Sequence, residues 1–216
     1  MKALPISEYN RDQLFSLQAI HKACGRLPDV EIRSLVERLG PYLEFRRQIE
    51  SYQSQYFRAI CEATCFSTGL SACCGFESII TFFADHVINF LLSTPEENGR
   101  ILSVLGQANR TGRCVYLQAT GCLWRWSPIS CVMFLCEDAK QTVFTRHPEA
   151  AAPWAELRER EKDYTCPTQP VLFDDLEKVF RGLGVDSPHM YFHTSPGLLR
   201  LKARAGIVEK SSDSCA

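Results

Sequence analysis

CEATCFSTGLSACCG at residues 61–75 and GRCVYLQATGCLWRWSPISCVMFLC at residues 112–136 hold eight of the chain's eleven cysteines. They fall as Cys61-x3-Cys65, Cys73-Cys74, Cys114-x7-Cys122 and Cys131-x4-Cys136, with Cys166-Pro167 further on. Thiolates are the soft ligands that select zinc, iron-sulfur clusters or cuprous copper, and eight of them suffice for two four-thiolate sites. On a continuing helix Cys61 and Cys65 share one face and can grip a single metal. Adjacent Cys73 and Cys74 in an extended strand point to opposite faces, so they either feed two sites or need a turn, which Gly75 would allow.

The chain around the ladder reads as mainly α, with irregular cysteine-rich metal-binding loops and a few short strands. Four segments follow: an N-terminal helical module over 1–60, a cysteine-cluster metal-chelating domain over 61–170, a C-terminal helix and hairpin over 171–209, and a disordered tail over 210–216. In the first segment Leu14, Leu17, Ile20 and His21 recur at helical spacing, as do Ile32, Leu35, Val36 and Leu39. A third helix starts near Pro41 and runs through Phe45, Ile49, Tyr52 and Tyr56 to Ile60. Between the two cysteine stretches, an apolar helix carries Ile79, Ile80, Phe83, Val87, Phe90 and Leu91 on one face. Thr94-Pro-Glu-Glu97 then has the N-cap, first-turn proline and back-reaching glutamate that start a helix, expected through about Asn109. Residues 112–136 hold two short strands and a Ser-Pro turn. A charged helix over 148–163 turns Trp154 and Leu157 inward, and another helix follows over 173–182. Ser195-Pro-Gly197 marks a hairpin within 190–207, which would line up Arg200, Lys202 and Arg204 on a solvated strand edge.

With 216 residues, 45% of them hydrophobic, the chain can bury a core without covalent staples. A net charge of -1 gives no general attraction for nucleic acid or anionic lipid. The opening MKALPISEYNRDQLF has no uninterrupted apolar run, and Glu77, Asp85 and His86 interrupt the most apolar stretch. No secretory signal or membrane span is expected, and the compartment read from this is the cytoplasm. Its reducing conditions favour free thiols and metal binding over disulfides.

The order Cys-x3-Cys, Cys-Cys, helical insert, Gly-Arg-Cys-x-Tyr-Leu, Gly-Cys and Pro-x-x-Cys resembles the zinc- or iron-chelating cysteine-cluster family of the YkgJ type, whose cluster also occurs in flagellin lysine N-methylases. The resemblance covers roughly Cys61 to Pro167. It implies Cys61, Cys65, Cys73, Cys74, Cys114, Cys122 and Cys131 as metal ligands, with Cys166 in the closing Cys-Pro and Cys136 as a weaker correspondence. Two departures touch the number of sites: Ser127-Pro128 stands for the family's Arg-Pro, and the interval before Cys73 is longer than usual. The cofactor implied is zinc, iron or an iron-sulfur cluster at one or two sites. The partner implied is the metal ion, with a protein partner or protein substrate through the methylase link.

No residue emerges as catalytic. The chain has no phosphate loop, Gly-x-Gly-x-x-Gly, Gly-x-Ser-x-Gly or His-Glu-x-x-His, and no third cysteine two residues after Cys65. Whether it is an enzyme stays open. His189-x3-His193 sits between prolines in an alternating segment and reads as structural, as does His86, whose sharper reading is support behind a thiolate site. Arg110, Arg113 and Arg125 bracket the later cysteines and would offset thiolate charge, whereas Tyr116, Trp124, Trp126 and Phe134 would shield a cluster from water.

Overall fold

A computed structural model describes residues 5–71, 73–75, 79–109 and 112–207. The chain is mainly helical, with one two-stranded sheet among the described residues. Helix α1 (Glu8–Cys24) starts where Ser7 accepts a hydrogen bond from Asn10 N at 3.1 Å and stops at Gly25. α2 (Asp29–Arg38) follows Pro28, and α3 (Gly40–Tyr56) carries Pro41 in its first turn, where the missing N–H is harmless. The stripe Tyr42, Phe45, Ile49 and Tyr52 turns α3 into the core.

The third helix does not run unbroken to Ile60. It stops at Phe57, and the short α4 (Arg58–Cys61) leads into a π turn at Glu62–Phe66, where Ser67 N bonds Glu62 O at 2.8 Å. Such wide turns are uncommon and concentrate at functional sites. The apolar segment is also shorter than its pattern. α5 is Phe83–Leu92, Ile79 and Ile80 precede it, and Ile80 is exposed. α6 (Pro95–Leu105) has the reciprocal box read from the sequence: Thr94 N donates to Glu97 Oε2 at 2.8 Å and Glu97 N to Thr94 Oγ1 at 3.2 Å. It ends before Asn109, at Gly106.

β1 (Leu117–Gln118) and β2 (Gly121–Cys122) form an antiparallel hairpin pairing Leu117 with Cys122, with Gly121 at φ +114°. Then come α7 (Ile129–Val132), α8 (Glu137–Arg146), a single 3-10 turn, α9 (Ala151–Thr165) and α10 (Leu172–Gly182). The expected hairpin in 190–207 is instead two helices, α11 (Tyr191–Thr194) and α12 (Pro196–Arg204). Pro196 occupies the first turn of α12, so Ser195-Pro-Gly starts a helix and does not reverse a strand. Lys202 is accordingly no edge cation. It is 2% exposed, with Nζ 3.2 Å from Asp174 Oδ1 on α10, where His193 and Glu177 also meet at 2.7 Å. The expected disordered tail and Arg110 lie outside the described residues.

Two cores result. The larger draws Tyr42 and Phe45 from α3, Phe83 and Val87 from α5, Trp154 from α9, and Phe173 and Phe180 from α10, so residues from all three structured segments share it. The smaller joins Leu17 of α1 and Ile101 and Leu105 of α6 to Cys114, Tyr116 and Trp124. Tyr116 Oη donates to Gln13 Oε1 at 2.9 Å, tying the hairpin to α1. α5 ties down the segment ahead of Cys131: Asp85 Oδ1 accepts from Ile129 N and Asn89 Oδ1 from Trp126 N, each at 2.9 Å.

Candidate metal centre

The π turn and the reversal after it return the double cysteine to the first pair. Gly69 at φ +70° and Ser71 at φ +38° make that reversal, where a Ser side chain is strained. Ser71 N bonds Cys65 O at 3.0 Å and Cys74 N bonds Ser71 O at 2.8 Å. Gly75, from which the turn was expected, lies instead in an antiparallel bridge with Arg113, while Cys114 N bonds Cys74 O at 2.8 Å. The Arg113 guanidinium donates to Gly69 O, spanning the reversal. The two halves of the ladder are thus joined through backbone, although about forty residues separate them in sequence.

Cys61, Cys65, Cys73, Cys74, Cys131 and Cys136 line one cavity of about 440 Å³. Phe57, Phe66, Leu117, Phe134 and Leu135 supply its apolar wall, and Glu50, Gln53, Arg58 and Glu62 its polar one. The thiols sort by electrostatic reach into two groups. Cys61 feels Cys136, Cys73 and Cys65, whereas Cys74 feels Cys114, Cys122 and Cys131. The adjacent pair therefore feeds both groups, with Cys73 hydrogen-bonded to Cys74.

Burial pushes the Cys114 thiol up to about 11 and Cys131 up to about 12; desolvation by surrounding protein also raises Cys122 and Cys61, although both residues are exposed at the surface. The Cys73–Cys74 hydrogen bond splits that pair, lowering Cys74 while it, together with burial, raises Cys73. Cys74 is thus the thiol readiest to ionise in its group. The described cysteines form no disulfide.

Donor chemistry fits a soft metal, each group offering four thiols. Among the described residues no three His, Cys, Asp or Glu side chains are already arranged to hold an ion. The thiols converge on a cavity and not on a point. Cys166 closes α9, with its sulfur 3.7 Å from Thr168 Oγ1, and Cys166, Cys114 and Cys122 do not line the cavity. Phe134 does line it, whereas Tyr116 and Trp124 pack with Cys114 and Trp126 packs on the larger core. Arg125 lies 3.5 Å from Glu97.

The histidines go elsewhere. His193 belongs to the Asp174, Glu177 and Lys202 network. His189 Nδ1 is 2.7 Å from Ser16 Oγ, and its ring is 5.0 Å from fully buried His86, whose nitrogens have no hydrogen-bond partner among the described residues. Burial drives His189 down to about 4. The unfolded chain takes up this proton near 6.5, so the stability from keeping the ring neutral is present above that pH and is lost as pH falls from 6.5 to 4. Asp85, raised by burial to about 6, acts oppositely between its unfolded value near 4 and 6. A site-resolved readout separates the two: imidazole NMR is expected to place the His189 midpoint near 4, and a midpoint near 6.5 would refute its burial as a neutral ring.

Sequence reading overlooked Gln53, Phe57 and Glu62 on the cavity wall and Asp85 behind Cys131. Phe57 and Glu62 flank the Cys61 turn closely enough to have been suspected, but nothing local marks Asp85. No helix among the described residues is long and apolar enough to cross a membrane. Comparison with protein-family models, curated proteins and solved structures gave no match to this chain.

Proposed function

We propose that this chain is a cytoplasmic thiolate metal-binding protein of the YkgJ type. Cys61, Cys65, Cys73 and Cys136 would form one ligand group, and Cys74, Cys114, Cys122 and Cys131 the other. The supporting observation is that six ladder cysteines, from three separate chain segments, line a single cavity. Zinc bound there would cross-link loops and make metal affinity part of the folding free energy, whereas an iron-sulfur cluster would supply electron transfer. Cys166, which neither lines the cavity nor is among the thiols that Cys61 and Cys74 sense, is left out of both groups.

A second reading also has an observation behind it. The cavity is flanked by Phe66 and Phe134, which are 45% and 52% exposed, so its apolar wall is open to a further molecule. Such an opening leaves room for the protein or peptide side chain that an iron-sulfur enzyme of redox or methyl-transfer type would receive beside its cluster. Purification without oxygen, followed by visible spectroscopy and a sulfide assay, separates the readings. Broad absorption near roughly 400 nm with labile sulfide supports the cluster. Stoichiometric zinc without colour supports the structural clamp, and protein with neither metal nor colour would sink both.

A further inference from the structure

A second cavity, of about 330 Å³, lies against the same face of α3. It is lined by Arg46, Ile49, Glu50, Gln53, Arg125, Trp126, Ser127 and Val132, and it shares Glu50 and Gln53 with the thiol cavity. We infer that it binds a small organic anion through a carboxylate or phosphate, with Arg46 as the anchoring cation and Arg125 at the rim.

Arg46 is the unusual residue. Only 7% of it is exposed, yet no carboxylate among the described residues lies within ion-pair distance of it. Its one hydrogen bond among them is from Nη1 to Tyr42 Oη at 2.9 Å, leaving most of a five-donor fork unused. The Tyr42 and Trp126 rings hold the guanidinium at 5.6 and 5.9 Å from their centroids. Asp85 senses its charge, but both Asp85 oxygens are occupied by the Phe82 and Ile129 N–H groups. A guanidinium this enclosed gains from a counter-ion at its unused donors, and a carboxylate or phosphate is the partner its fork fits best.

The rest of the lining agrees with this choice. Arg125 is half exposed and only loosely paired with Glu97 at 3.5 Å, so its charge remains usable. Ser127 also lines it, its hydroxyl shared with the Cys122 thiol, while Ile49, Val132 and the Trp126 ring offer apolar contact to an organic body. Gln53 is committed to Val132 O, and Glu50 is the one carboxylate in the lining. Glu50 on the wall shared with the thiol cavity disfavours a ligand with two separate anionic groups. A single anionic headgroup with an apolar remainder is expected instead, held beside the cysteines. The inference does not depend on metal binding.

Calorimetric titration of the full chain with butyrate, inorganic phosphate and choline tests it. Saturable binding of butyrate or phosphate, weakened by salt and absent for choline, is expected, and the stronger of the two identifies the headgroup. Arg46→Met, which keeps the bulk and drops the charge, should weaken that binding by about tenfold or more, given the strength of charge-assisted hydrogen bonds. If that variant does not fold, Arg125→Gln at the rim should weaken it by several-fold. No saturable binding by either anion, or unchanged affinity in folded Arg46→Met or in Arg125→Gln, would overturn the assignment.

Discussion

Cys74→Ser is expected to strip at least one metal equivalent from the chain and to lower its melting temperature sharply. Serine is nearly isosteric and keeps the backbone bonds from Cys74 N to Ser71 O and from Cys114 N to Cys74 O, so the loss is specific to the sulfur. That sulfur has Cys73 as its hydrogen-bond partner and Cys114, Cys122 and Cys131 within electrostatic reach, so its removal reduces the second group to three thiols. A ligand present at a thousandfold excess over its Kd stabilises the folded state by about 4 kcal/mol, worth about 10 °C in a chain of this size. Cys24→Ser is the control: Cys24 lies half-buried on α1, away from the ladder, and metal content should not change. Equal metal content in both variants would place the metal elsewhere. A Cys74→Ser protein that loses metal but keeps its fold and melting temperature would shift the account towards the iron-sulfur enzyme.

Asp85→Ala is expected to cost about 3 kcal/mol in urea denaturation, because a buried and a part-buried N–H group lose their acceptor at about 1–3 kcal/mol each. Asp85 Oδ2 closes the start of α5 at Phe82 N, and Oδ1 reaches Ile129 N two residues before Cys131. The same side chain thus caps a core helix and fixes the approach of a candidate ligand. Metal affinity should fall along with stability, unlike in a purely global destabilisation such as Thr94→Ala. Asp85→Asn, which keeps one acceptor oxygen, should lie between wild type and alanine. An Asp85→Ala protein as stable as wild type would contradict the proposed tie between α5 and the Cys131 turn.

What the sequence made legible was local. Thr94-Pro-Glu-Glu97 contains its own partners, and its box formed as read. The helical stripes delivered Leu17, Ile20, Leu35 and Leu39 to the core, and Trp154 and Leu157 turned inward on α9. Where two local readings competed, tertiary partners decided. Arg200, Lys202 and Arg204 alternate with apolar residues, but Asp174 draws Lys202 inward on a helix. The break at Phe57 and the π turn bring the chain to Cys61, but no spacing rule announces either.

The candidate site divides along the same line. Residue type and spacing singled out the cysteines, because sulfur chemistry is carried by the residue itself. Their convergence on one cavity was not legible, since it depends on the reversal at Gly69 and Ser71 and on the Gly75 bridge to Arg113. Cys166 was included on resemblance alone, and its position at the end of α9 separates it from the cavity. Arg46 gave no signal at all: within the stripe of α3 it is one cation among aromatics, and its isolation from carboxylates emerges only in three dimensions.

X-ray absorption at the metal edge, on protein purified with its native metal, tests the central claim most directly. The account predicts a first shell of sulfur alone, about four atoms at about 2.3 Å for zinc, collapsing in Cys74→Ser to a mixed or depleted shell. A shell dominated by nitrogen or oxygen, or no stoichiometric metal in the wild-type protein, would contradict it.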